Sequence, residues 1–219
     1  MTTVLLFFVA LFVLAAFALA MVVSQEKDRS EAFAKAALRV GMRYEPRRDA
    51  LIEEYGILPL FSQGHSRRTA NVLTGSTGDR PTAVFDYHYT TGSGKGASTH
   101  AQTAAVFHLA GSSLAAFIME PEGALQRLAE LFGYKDVDFE HQPEFSRAYF
   151  LRGQDLQAMR RLFQPALLAQ LQQMTGWHVE GTGNRLAVYR GERVKPEEVP
   201  RFIEQAARVA QLFRDAGRV

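Results

Sequence analysis

From Val4 to Val23 every residue is Val, Leu, Phe, Ala or Met. Twenty such residues at a helical rise of about 1.5 Å span roughly 30 Å, the thickness of a bilayer's hydrocarbon core. Lipid offers no partner for backbone polar groups, so a run of this kind can cross it only as a helix. A cleaved signal peptide is the rival reading, and Ala18-Leu19-Ala20 resembles an A-x-A cleavage site. Two features oppose it. The leading Met-Thr-Thr carries no Lys or Arg, and the apolar run outlasts an h-region of about 7–15 residues. Residues 1–23 therefore read as an uncleaved transmembrane anchor.

The flanks give an orientation. No basic residue precedes the span, and Lys27, Arg29, Lys35, Arg39, Arg43, Arg47 and Arg48 follow it. Basic residues near a span stay on the cytoplasmic side. The expectation is a single-pass protein, its N-terminus outside and its C-terminal domain in the cytoplasm. Residues 24–48 hold seven basic and four acidic residues out of a chain net charge of +2, which leaves the rest at −1. A nearly neutral domain argues against nucleic-acid binding, while the basic excess sits where anionic lipids would attract it. With no cysteine, disulfides, thiolate metal sites and cysteine nucleophiles are excluded.

Behind the anchor, 24–45 reads as a juxtamembrane helix and linker, and 46–219 as one α+β domain with a mainly antiparallel sheet. Phe33, Ala36, Ala37 and Val40 share one helical face, and Gly41 is a natural stop. Met42 to Tyr44 suits a short extended piece, and Arg47 to Tyr55 a short helix. The polar stretch Gly64–Arg68 reads as a loop and Asn71–Leu73 as a short strand. Between Thr82 and Thr90, Phe85, Tyr87 and Tyr89 alternate with Asp86 and His88, the period of a strand with one buried face. Strands near His100–Leu109 and Leu114–Met119 would complete an antiparallel meander.

Pro121 opens an expected helix carrying Leu125, Leu128, Leu131 and Phe132. Ser146–Leu151 suits a strand. Gln154–Met174 suits a long helix that either kinks at Pro165 or restarts there. Trp177–Gly181 and Arg185–Arg190 form an expected hairpin, and Pro200–Asp215 a final amphipathic helix. Phe85, Tyr87, Phe107 and Leu109 are expected on one buried sheet face. If Thr90 pairs with His100, His88 lies opposite Gln102 and Asp86 opposite Ala104.

No constellation rises to a catalytic, cofactor or metal signature. Thr91-Gly92-Ser93-Gly94-Lys95-Gly96 lacks the leading Gly and the closing Ser/Thr of a phosphate loop, and it joins two strands. Asp86, His88, His100 and Gln102 could gather on one face, but their spacing matches no ligand pattern, and a solvated sheet face explains them as well. His65-Ser66-Arg67-Arg68 could meet a phosphate or lipid headgroup, or simply be a solvated loop. Asp136, Asp138, Glu140 and His141 read as a polar loop, and Trp177 as core.

Several stretches resemble a family of uncharacterised bacterial single-pass membrane proteins. They are Asn71-Val72-Leu73-Thr74-Gly75, Phe85 through Lys95, Gln102-Thr103, Phe145 through Gly153, and Gly176-Trp177-His178-Val179-Glu180-Gly181. The resemblance covers most of the chain after the anchor. It implies a bacterial inner-membrane setting and supplies no catalytic residues. The expected function is non-enzymatic binding of a protein partner or lipid surface. An enzyme using Asp86 and His88 is one alternative, and a scaffold pairing through its transmembrane helix is another. The sequence names no partner, cofactor or oligomeric state.

Overall fold

The computed structural model describes residues 2–122, 134–137, 139 and 141–218. Helix α1, Thr2–Val40, is one continuous rod of 39 residues, about 58 Å long at the usual rise. Its first part stands clear of the domain core: the described side chains from Phe7 to Asp28 are all exposed. By length and composition this is the one helix among the described residues able to cross a membrane. Its second part belongs to the folded domain, because Phe33, Ala36 and Ala37 are buried in the core. The helix ends where Gly41 takes a left-handed φ of 67° and Met42 N donates to Ala37 O at 2.9 Å. That bond caps carbonyls the helix leaves unpaired, and the conformation costs a glycine little.

Nine strands form one sheet among the described residues: β1 (Arg43–Glu45), β2 (His65–Thr77), β3 (Arg80–Thr91), β4 (Ser98–His108), β5 (Leu114–Pro121), β6 (Lys135–Asp136), β7 (Tyr149–Gly153), β8 (His178–Gly183) and β9 (Arg185–Tyr189). Their order is β1-β2-β3-β4-β9-β8-β5-β7-β6, and every described pair is antiparallel. The helices are α2 (Ala50–Glu54), α3 (Pro143–Ala148), α4 (Leu156–Leu162), α5 (Pro165–Leu171) and α6 (Val199–Ala216). The class is α+β, as expected from strands grouped by short links.

The sheet is covered on both faces. On one, the end of α1 packs with α4, α5 and α6 over Val84, Ala105, Phe107, Phe117 and Val188. α6 turns Phe202, Ile203, Ala206, Val209, Ala210 and Phe213 inward, the stripe its sequence shows. On the other, Leu51, Tyr55, Leu58, Leu60 and Phe61 cover Val72, Phe85, Tyr87, Tyr89, Ala104 and Val106.

Four expectations are corrected. The strand β5 does not continue the β3–β4 meander: the β8–β9 hairpin lies between β4 and β5. A short link shows that two strands can be neighbours; it does not stop a later hairpin from pairing more favourably with both. The β3–β4 register differs by one residue, with Tyr89 opposite His100, His88 opposite Ala101 and Asp86 opposite Thr103. One residue flips every side chain. Phe107 therefore sits with Val84 over the helices, on the face opposite Phe85 and Tyr87. The stretch 65–68 is the start of a 13-residue strand instead of a loop. The expected strand at Ser146–Leu151 begins only at Tyr149, after the short helix α3.

Pro165 restarts the chain instead of kinking it, standing in the first turn of α5 where its missing N–H costs nothing. The expected helix carrying Leu125, Leu128, Leu131 and Phe132 lies outside the described residues.

Candidate functional site

The alternation in β3 holds, but the face of Asp86 and His88 is not solvated. Asp86 is fully buried and His88 nearly so, because α1 and the 190–195 segment cover them. The side chain that explains this is Arg29. It sits four residues before Phe33, on the stripe that also holds Ala36, Ala37 and Val40. A charged residue on an apolar stripe, and a lone Asp inside Val84-Phe85-Asp86-Tyr87, are the signals by which the pair could have been found.

The junction is dense. Arg29 Nε and Nη2 donate to the two oxygens of Asp86 at 2.6 and 2.7 Å, a two-pronged ion pair. Arg29 Nη1 donates to Val194 O at 2.6 Å, and its guanidinium lies over the Phe33 ring. Asp86 also accepts from Asn71 Nδ2 at 3.0 Å and Thr103 Oγ1 at 2.8 Å. Thr103 Oγ1 in turn accepts from Val194 N. Asn71 occupies a bulge in β2 at a φ of 52°, a conformation Asn tolerates better than most residues. There its Oδ1 accepts from Ser30 on α1 and its amide reaches Asp86. One carboxylate thus joins α1, β2, β3, β4 and the loop before α6. At its rim Arg193 pairs with Glu26 at 2.6 Å, and that bond holds the Glu26 carboxyl below its ordinary range.

His88 lies on the same face, 3.4 Å from Arg68. Burial first, and then the Arg68 charge, push its pKa down to about 4, so the ring is neutral near pH 7. His100 and Gln102 are opposite Tyr89 and Tyr87, on the other face. The four polar residues that the alternation suggested are therefore split by the sheet.

That second face carries its own polar group. Glu180, fully buried, accepts from Leu60 N and Tyr189 Oη, both at 2.7 Å. Burial raises its pKa to about 7. Beside it a cavity of about 10 Å³, roughly room for one water, is lined by Gln63, Tyr89, Gln102, Glu120, His178 and Tyr189. His178 stacks on Tyr189, its Nδ1 3.6 Å from Glu120. Glu180 fastens the 59–61 turn to the sheet and holds a proton near neutrality.

Other candidates stay apart. The Gly94–Gly96 turn is exposed and joins β3 to β4. Asp136 meets Arg152 at the surface, while Asp138 and Glu140 lie outside the described residues. Trp177 is buried, with the Arg190 guanidinium 3.7 Å from its ring centre. Among the described residues no three His, Asp or Glu side chains are placed to hold a metal ion.

No family model and no curated protein matches this sequence. Among solved structures the chain is similar to the mycobacterial trehalose monomycolate transport factor A, TtfA. The TM-score is 0.65 at 12% identity, over 86% of this chain and 93% of that one. The likeness establishes a shared fold with a bacterial protein.

Proposed function

We propose that this chain is a membrane-tethered, non-enzymatic module of a bacterial inner membrane. Its domain lies on the cytoplasmic side and binds a protein partner engaged in moving envelope lipids. The observation that carries this reading is the Arg29–Asp86 junction. A helix that leaves the bilayer is bonded directly into the sheet, so span and domain form one body. Such a body holds a surface at a set height and angle, which suits docking on a membrane complex more than diffusing to a substrate. Asp86 supports the same reading. It already accepts from Arg29, Asn71 and Thr103 and has no exposed side, so it offers nothing to a substrate. The lipid part leans on the neighbour's printed role as a trehalose monomycolate transport factor.

Depletion in the native bacterium tests it. Newly labelled envelope lipid should accumulate in the inner membrane and appear late outside it. An unchanged distribution would remove the lipid-transport reading. A cytoplasm-only fluorescent reporter fused after Val219 should light up, and a periplasm-dependent phosphatase there should stay silent. The reverse would place the domain outside.

A further inference from the structure

The contacts along α1 also give the direction of the sheet relative to the membrane. Residue number on α1 rises with distance from the span. Ser30 meets Asn71, Met42 lies against Gly75, and Arg43 pairs with Thr74. β2 therefore climbs away from the bilayer between Asn71 and Gly75. Its antiparallel neighbour β3 descends through Asp86, level with Arg29, to Thr91. The start of β2 and the β3–β4 tip thus point back at the membrane.

Simple lengths bring them to its surface. Arg29 stands six residues beyond Val23, about 9 Å along the helix. From Asp86 to Thr91 the strand runs about 17 Å, and at roughly 45° to the helix it would still descend about 12 Å. The composition of this end fits that position. Residues 62–72 and 87–102 contain Arg67, Arg68 and Lys95 and no Asp or Glu. Arg68 and Lys95 are exposed, and neither has an acidic partner among the described residues. The tip Gly92-Ser93-Gly94-Lys95-Gly96 is small enough to lie close against a surface, with the lysine at its centre.

We propose that the β3–β4 tip and the start of β2 rest on anionic lipid headgroups of the leaflet from which α1 emerges. The domain then touches the membrane at two places, the helix and this basic edge. The proposal rests on the reading of α1 as an anchor and adds a surface and a ligand class to it.

The absence of cysteine makes a test direct. Single Ser93→Cys and Ser76→Cys chains carry a fluorophore at the near and far ends of the sheet. The full chain is placed in nanodiscs of phosphatidylcholine, with or without phosphatidylglycerol, doped with a headgroup-bound quencher. The label at position 93 should be quenched and that at 76 spared, with stronger quenching in anionic discs. Lys95→Gln and Arg68→Gln should each weaken the contact roughly fivefold, and salt should weaken it too. Quenching at 93 no greater than at 76 would overturn the proposal. So would quenching that ignores phosphatidylglycerol and both substitutions. A chain that fails to enter discs at all removes the anchor reading and this proposal together; entry with an unquenched position 93 removes this proposal alone.

Discussion

Three buried ionisable residues behave differently because their partners differ. Asp86 is surrounded by donors, His88 faces a cation, and Glu180 has two donors but little else to offset its burial. The last two give opposed pH dependences. An unfolded glutamate takes up its proton only below about 4.5, whereas folded Glu180 does so below about 7. Between those values the folded state binds more protons, so this group's contribution falls as pH rises from 4.5 to 7. His88 does the reverse. The unfolded ring charges below about 6.5 and the folded ring only below about 4, so its contribution is lost as pH falls through that window. Each shift is worth on the order of 3 kcal/mol. Nearly coincident and opposite, they should leave little net slope from these two residues between about pH 4.5 and 6.5. Glu180→Gln should make the melting temperature rise with pH across that window, and His88→Gln should make it fall. Melts at pH 5 and 6.5 in detergent check both; parallel slopes in all three proteins would contradict these environments.

At the scale of elements, α1 and the β3–β4 hairpin show what the sequence discloses and what it hides. The long apolar helix, the stop at Gly41, the inward stripe of α6 and the β8–β9 hairpin are legible because each follows from local composition, periodicity or a local turn residue. The neighbour of β5, the register at Thr90 and the burial of Asp86 are not. They depend on residues distant in sequence: β9 inserting beside β4, the turn at Gly94–Gly96, and Arg29 arriving 57 positions before its partner. A period of two marks the two sides of a strand but does not show that both are covered. Asp86→Ala should leave the Arg29 charge buried and unpaired, at a cost of about 3–5 kcal/mol. Arg29→Met with Asp86→Leu should recover much of that loss, since removing both charges leaves none stranded. A double-mutant cycle in detergent measures the coupling, and additive losses would mean that the pair is not joined. Phe107→Ala and Phe85→Ala should each cost about 3–5 kcal/mol, and because they lie in separate cores on opposite faces their effects should add within about 0.5 kcal/mol. Strong coupling between them would put them back on one face.

For the whole molecule, the apolar run and the domain core share a helix. Within residues 29–40 Phe33, Ala36 and Ala37 pack into the core, and the described side chains of residues 7–23 are apolar and exposed. A truncation that removed residues 1–33 would take Arg29 and Phe33 with the apolar run and strand Asp86, whereas one ending at Val23 would leave both in place. Insertion can therefore be weakened without unfolding the domain only by a change that leaves Arg29 and Phe33 in place. Phe12 lies near the centre of the apolar run, and Phe12→Arg should disfavour insertion by about 2.5–3.5 kcal/mol. It lies 17 residues before Arg29, so the junction itself is untouched. The wild-type chain should stay with membranes through salt and carbonate washing, while the variant should be released in part, with its domain still folded and protease-resistant. Release of the wild type would refute the anchor. A variant that stays fully inserted would show that contacts beyond α1 hold the chain to the membrane, and adding Lys95→Gln to it would then show whether the basic edge of the sheet supplies them.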